Sequence, residues 1–188
     1  MVAPVTLTDD VINIRPLEMG DVPAMYQAVR ESLGELKRWM SWAHDRYAER
    51  ETREWITAAR AHWNSGTHYA FAITDQENSF FLGAVSLGQI HPIYHFCNLG
   101  YWVRSSQYGH GYAARAACLA ARFAFEKLGL VRVEIVIAVG NQRSLKVAEN
   151  CGAHHEGTLL NRIIIHRKVY DAVMYSLLPS DFGLASPE

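Results

Sequence analysis

Ten residues constrain the fold more than any others. Leu130 to Val139 is an almost unbroken apolar run, interrupted only by Arg132 and Glu134. It is far shorter than the roughly 20 residues a membrane span requires. A run of this kind predicts an interior strand packed on both faces. Such a strand needs partners on both edges and helices above and below.

The rest of the chain supplies them. Val11 to Leu17 alternates as a strand. Asp21 reads as a helix N-cap with Pro23 in the first turn, and apolar residues at helical spacing continue to about Met40, with a break expected at Gly34. Trp55, Ile56, Ala59 and Trp63 mark a second helix from about Glu49 to Asn64, stopped by Gly66. The period then changes. His68–Thr74, Phe80–Gly88 and Ile93–Val103 read as an antiparallel meander, with a hairpin turn at Asp75–Ser79. An Ala-rich helix from Tyr112 to Leu128 ends at Gly129, and a short one from about Arg143 to Asn150 ends at Gly152. Two strands turning near His166–Lys168 complete a mixed α/β sheet, and the tail from Pro179 is expected to fray.

At 188 residues the chain suits one domain, spanning 1–188 with a core of about 11–179. A chain of this size buries roughly 70% of its unfolded surface, so its core needs no metal or disulfide. Eighteen Lys+Arg against 19 Asp+Glu give a net charge of −1, without the basic excess of a nucleic-acid binder. Cys97, Cys118 and Cys151 form no C-x-x-C pair and read as buried thiols. His91 and His95 stand four apart around Pro92 in extended chain, with no third ligand at a suitable spacing, so no metal is expected. The opening residues lack the basic and apolar regions of a signal peptide, and the expected location is cytoplasmic.

Chemistry concentrates in Leu99–Arg115, where a strand, a loop and a helix N-terminus follow one another. Gly109 and Gly111 let the backbone approach a ligand, and the orphan amides of a helix start can hold a pyrophosphate. Gly109-x-Gly111-x-x-Ala114 satisfies a dinucleotide-binding pattern. Against that reading, the motif stands past mid-chain, and Glu134 lies within its strand rather than at the end. A glycine loop that merely turns the chain is the plainer alternative.

The surrounding segments favour another reading. Leu36-Lys-Arg-Trp-Met-Ser-Trp42, Leu99-Gly-Tyr-Trp-Val103, Gly109-His-Gly-Tyr-Ala113, Phe123-Ala-Phe-Glu-Lys-Leu-Gly-Leu130, Asn141-Gln-Arg-Ser144 through Gly152, and Glu156-Gly157 with Asp171 and Tyr175 follow one another at suitable spacing. From about Val11 to Pro179 the chain resembles the RimJ/RimL-like branch of the GNAT N-acetyltransferases. That resemblance implies the GNAT fold: a mixed, mostly antiparallel sheet, helices on both faces, and a V-shaped opening for acetyl-CoA. Tyr108 departs from it, standing where Arg or Gln is usual.

By the same resemblance, acetyl-CoA is the acetyl donor and is held by Val103, Tyr108, Gly109, His110, Gly111, Tyr112, Ala113, Ala114, Asn141 and Ser144. The Val103 backbone N–H would meet the acetyl carbonyl, and the Ser144 hydroxyl would donate to the leaving thiolate. The carboxylate that some relatives place a few residues after the Glu-Gly pair is absent from Thr158–Ile165, which points to a weakly basic amine, a water relay, or a base elsewhere such as His95. Trp39 and Trp42, three apart and expected to share a helix face, read as core packing or as a wall of the acceptor site. The implied acceptor is a primary amine, foremost the α-amine of a protein or peptide N-terminus of the ribosomal-protein type. An antibiotic, toxic peptide-nucleotide or polyamine is the alternative, and a non-catalytic acyl-CoA-binding domain a further one. A homodimer is compatible with the resemblance; no membrane partner is expected.

Overall fold

In the computed structural model, residues 2–77 and 79–185 are described. The strands are β1 (Leu7–Thr8), β2 (Ile12–Pro16), β3 (Tyr69–Asp75), β4 (Phe81–His91), β5 (Phe96–Val103), β6 (Arg132–Ala138), β7 (His154–Ile165) and β8 (Lys168–Leu177). The helices are α1 (Val22–Trp39), α2 (Glu49–Ser65), α3 (Tyr112–Leu128) and α4 (Gln142–Asn150). The strands form one sheet in the order β1-β2-β3-β4-β5-β6-β8-β7. Every pairing is antiparallel except that of β5 with β6.

Side chains alternate across a strand, so β3 and β4 feed two different cores. Phe71, Ile73, Val85 and Leu87 face one side and meet α3. That helix buries Ala116, Ala117, Ala120, Ala121 and Ala124, which lets it lie close to a face of large residues. Phe123 is nearly inaccessible there, its ring 5.3–5.9 Å from those of Trp63, Tyr69 and Phe71. The opposite face carries the small residues Ala70, Ala72 and Ala84, and α1 and α2 cover it with Met25, Val29, Leu33, Leu36 and Ile56. Bulk on one partner is matched by alanine on the other, which lets helices and sheet approach closely in both layers.

Several expectations are corrected. Helix α1 runs unbroken through Gly34, because the roughly 1 kcal/mol cost of a helical glycine cannot stop a helix buried along one face. Asp21 precedes α1 but makes no side-chain cap; its carboxylate instead accepts from Arg15 and from the Glu18 amide. Strand β5 begins at Phe96, since residues 92–95 turn between β4 and β5, with His95 at φ 50°. In β6 buried residues alternate with half-buried ones, so only one face is fully covered. The tail is docked as far as described: Pro179–Phe182 is a 3-10 turn, and the Phe182 ring lies 5.5 Å from Phe125. Asn78, part of the expected hairpin turn, and Ser186–Glu188 lie outside the described residues.

At Gly83 the β4 backbone passes so close to β5 that a Cβ would stand 2.1 Å from the Trp102 carbonyl oxygen. A Gly83→Ala variant is expected to lose at least about 1–3 kcal/mol through this overlap with fixed backbone. Urea unfolding of the variant beside the wild type measures it.

Candidate active site

The site originates where two parallel strands part. β5 pairs with β6 only through Phe96–Arg132, Cys97–Val133 and Asn98–Glu134. Beyond Asn98, β6 continues against β8 while β5 continues against β4. The Arg104 amide donates to the Leu82 carbonyl across β4. By the alternation of an antiparallel ladder, the amides of Tyr101 and Val103 therefore point the other way, into the gap. Backbone donors held within a fold call for a partner. At the fork itself the Asn98 Oδ1 is buried with no hydrogen-bond partner.

The gap leads to the glycine loop. A 3-10 turn at Ser105–Gln107 precedes Gly109 and Gly111, whose φ values of 86° and 78° are left-handed. At both, the space a side chain would fill is open. The first amides of α3, at Tyr112, Ala113 and Ala114, project from this end, so the loop and helix can cradle an anion. Nearby, His110 stacks on Tyr112 with centroids 5.5 Å apart.

Helix α1 anchors the approach to the loop. Glu31 accepts from the Arg104 guanidinium and from the Ser106 amide at 2.9 Å, while Ser32 Oγ accepts from the Ser105 amide at 2.8 Å. The Arg104 hydrogen bond is the main reason the Glu31 carboxyl sits at about 2 rather than 4.5. Tyr108 carries no charge, but the Arg143 guanidinium lies 4.8 Å over its ring and pairs with Glu35 at 2.7 Å. A cation thus stands beside the loop from α4, where the sequence motif lacks one.

On the α4 side, Asn141 caps the helix, its Oδ1 accepting from the Ser144 amide at 3.3 Å. The Tyr101 hydroxyl lies 3.0 Å from both Ser144 Oγ and the Ser144 carbonyl oxygen. Burial pushes the Tyr101 phenol well above its ordinary pKa, so it stays protonated and can act only as a neutral hydrogen-bonding group.

The α1–α2 side of the gap holds a cavity of about 350 Å³, lined among others by Met25, Trp42, Tyr47, Trp55, Ser86 and Trp102. Gly100 and Tyr101 reach its floor, and His68 and Glu51 also border it. The Trp42 ring lies 5.7 Å from Tyr47 and 6.3 Å from Trp102. Glu51 is engaged by the Ala48 amide and by His44. A smaller recess of about 180 Å³ beneath α2, near Pro16 and Trp63, lies on the far side of that helix from the aromatic cavity.

The candidate residues divide accordingly. Val103, the 108–114 loop, Asn141 and Ser144 gather around the gap, and Trp42 borders the cavity. Trp39 does not share a helix face with Trp42, because α1 ends at Trp39 and Trp42 stands in the following turn. Trp39 instead reaches the Gly140 turn. His95 is at the wrong end of β5: eight residues of strand separate it from Val103, more than about 20 Å at 3.3 Å per residue. That distance excludes direct proton transfer between the two. Sequence reasoning missed Tyr101, Arg143, Tyr47, Trp55 and His68. Strand alternation already grouped Tyr101 with Val103, whereas the others depend on distant segments meeting.

Among the described residues, no group of three His, Cys, Asp or Glu side chains could hold a metal ion, and no helix is long and apolar enough to cross a membrane. The family model described as an acetyltransferase (GNAT) domain matches residues 12–154. The chain is 28% identical over 176 residues to the Bacillus subtilis protein named "Putative ribosomal N-acetyltransferase YdaF", covering 91% of this chain and 93% of that protein. It is 23% identical to the spermidine N(1)-acetyltransferase of Vibrio cholerae, covering 91% and 95%. The structure of RimL, a ribosomal L7/L12 alpha-N-protein acetyltransferase in complex with coenzyme A, superposes with a TM-score of 0.84 at 22% identity, covering 93% and 98%.

The low value of Glu31 makes its tether pH-dependent. A carboxyl whose folded pKa lies below its unfolded one stabilises fully above the unfolded value and loses that stabilisation as pH falls through the folded one. Wild-type stability is therefore expected to decline from about pH 4.5 towards pH 2 more steeply than that of Glu31→Gln. Urea midpoints of both proteins at pH 5, 4 and 3 measure the difference.

Proposed function

This chain belongs to the GNAT acetyltransferase family, and on that premise we propose that it moves the acetyl group of acetyl-CoA to the α-amine of a peptide or protein N-terminus seated in the aromatic cavity. The observation that carries this reading is the meeting of two features at Gly100–Val103: an unpaired strand edge and a cavity reaching the same residues from the other side of the sheet. A donor laid along the edge would thus present its thioester to an amine in the cavity.

Acetyl-CoA supplies the activated acetyl group; the chain's own residues do the rest. The open space at Gly109 and Gly111, with the amides of Tyr112 to Ala114, fits a pyrophosphate, and Arg143 adds charge beside Tyr108. The free amides of β5 suit the pantetheine arm and the carbonyl oxygen; the amide at Val103, or at Tyr101 one pleat deeper, stabilises the negative charge that develops there. The Ser144 hydroxyl, held by the Tyr101 phenol, donates to the departing thiolate. Asn141 holds the start of α4, and with it Ser144, in place.

The lining of the cavity favours an apolar or aromatic first residue over a polyamine. Three of the rings are indoles, and its one carboxylate, Glu51, is already engaged. Such rings bury large area and can also face a cationic amine. A small planar amine would fit the same walls, which keeps the small-molecule reading open as the second one.

Thermal shift and thiol release test the proposal. Acetyl-CoA at 100 times its Kd is expected to add about 2.7 kcal/mol, a rise of roughly 5–10 °C, while NAD adds nothing. With L-phenylalaninamide as acceptor, free thiol should appear faster than with spermidine. Binding without thiol release from any amine would instead support an acyl-CoA-binding domain. Ser144→Ala is expected to lower kcat by about 100-fold with little change in acetyl-CoA affinity.

A further inference from the structure

The proposed reaction needs an acceptor for the proton that the amine loses, and neither His95 nor any carboxylate of Thr158–Ile165 supplies one. We infer that His68, the residue before β3, takes this proton within the aromatic cavity. The inference rests on the acetyl-transfer reading above and deepens it.

Three observations carry it. His68 borders the cavity that Gly100 and Tyr101 also reach; its ring lies against Gly88, level with Asn98 and about 16 Å along the sheet from Val103, so it can serve, through water, a thioester held at Tyr101 and not one held at Val103. Its ring is seated by a local device: a Cβ at Gly88 would stand 2.7 Å from His68 Nδ1, so the absence of a side chain there lets the imidazole lie against β4. Finally, the imidazole is half-buried and makes no hydrogen bond within the described residues.

The surroundings keep that ring neutral. Burial lowers its pKa from the ordinary value, and His62 of α2, with centroids 6.2 Å apart, lowers it further. From α2 the cavity also presents Glu51, whose charge is satisfied by Ala48 and His44. The Tyr47 and Tyr101 phenols, both raised by burial, remain protonated. On β5, Asn98 pairs in register with Gly88 and brings no charge. At neutral pH, His68 is therefore the uncharged base on this wall.

The balance is simple. The amine nitrogen forms the C–N bond to the thioester carbonyl carbon, and the C–S bond breaks with its electron pair going to sulfur. Through an intervening water His68 takes the proton from nitrogen and releases it to solvent, while Ser144 donates a hydrogen bond to the thiolate, which then takes up a proton from solvent to leave as the thiol.

A pH–rate profile with L-phenylalaninamide tests this. An α-amine must itself be neutral to react, so log kcat/KM should rise with slope one below its pKa of about 8. A second ionisation at His68 adds a further break below about pH 6.5, beneath which the slope becomes two. His68→Gln is expected to lose that lower break and about 100-fold in kcat, with melting temperature and acetyl-CoA affinity unchanged. In His68→Gly, added imidazole should restore part of the rate. A wild-type profile without the lower break overturns the assignment even if the variants fail to fold. So does a His68→Gln enzyme of undiminished kcat. Absence of thiol release from the wild-type protein with every amine overturns the acetyl-transfer reading instead.

Discussion

Everything at the site depends on the brevity of one strand pairing. β5 and β6 share three residue pairs and then separate, leaving the edge of β5 from Leu99 to Val103 without a strand partner. A sheet that stayed paired would satisfy those amides internally and leave nothing for a ligand. A sheet edge on the outside would instead invite another chain. Here the edge lies between covered faces, where a ligand with its own amide groups can complete it. Membership of the GNAT family and the geometry of this gap agree on the kind of donor it takes.

The separation also assigns work to the two sides of the sheet. On the α3 and α4 side are the glycine loop, Tyr101 and Ser144, suited to the phosphates and the leaving sulfur. On the α1 and α2 side are the indoles and His68, suited to the amine. Ion pairs tie the helices to the rim of the gap: Glu31 with Arg104, and Glu35 with Arg143. His166, in the turn between β7 and β8, adds a contact to the Lys37 carbonyl at the end of α1. The more exposed of these, Glu35 with Arg143, contributes little stability by itself. Their use is positional, because each joins elements far apart in the chain around one opening.

Most elements were legible in local chemistry. The Ala-rich run ending at Gly129 could only be a helix, and the apolar run after it could only be a strand near the sheet centre. The glycine loop was legible for the same reason, since positive φ and an uncovered helix start leave a sequence trace. Errors came where tertiary contacts outweighed local preference. Gly34 does not break α1, because burial along one face outweighs a single glycine. Trp42 leaves the helix face it was expected to share with Trp39. His95 is excludable from the sequence alone, since the strand expected over Ile93–Val103 already sets it eight extended residues from Val103.

The sequence by itself determined the α/β class, most of the order of elements, the glycine loop at a helix start and the Asn141–Ser144 helix start. Each of these depends on residues within a few positions of one another. Only the tertiary structure decided where β5 leaves β6, that Arg143 stands beside Tyr108, and that His68 borders the cavity formed with Trp42, Trp55 and Trp102. Those relations join residues tens of positions apart. They arise from packing the helices on two faces of a sheet, which no local period encodes.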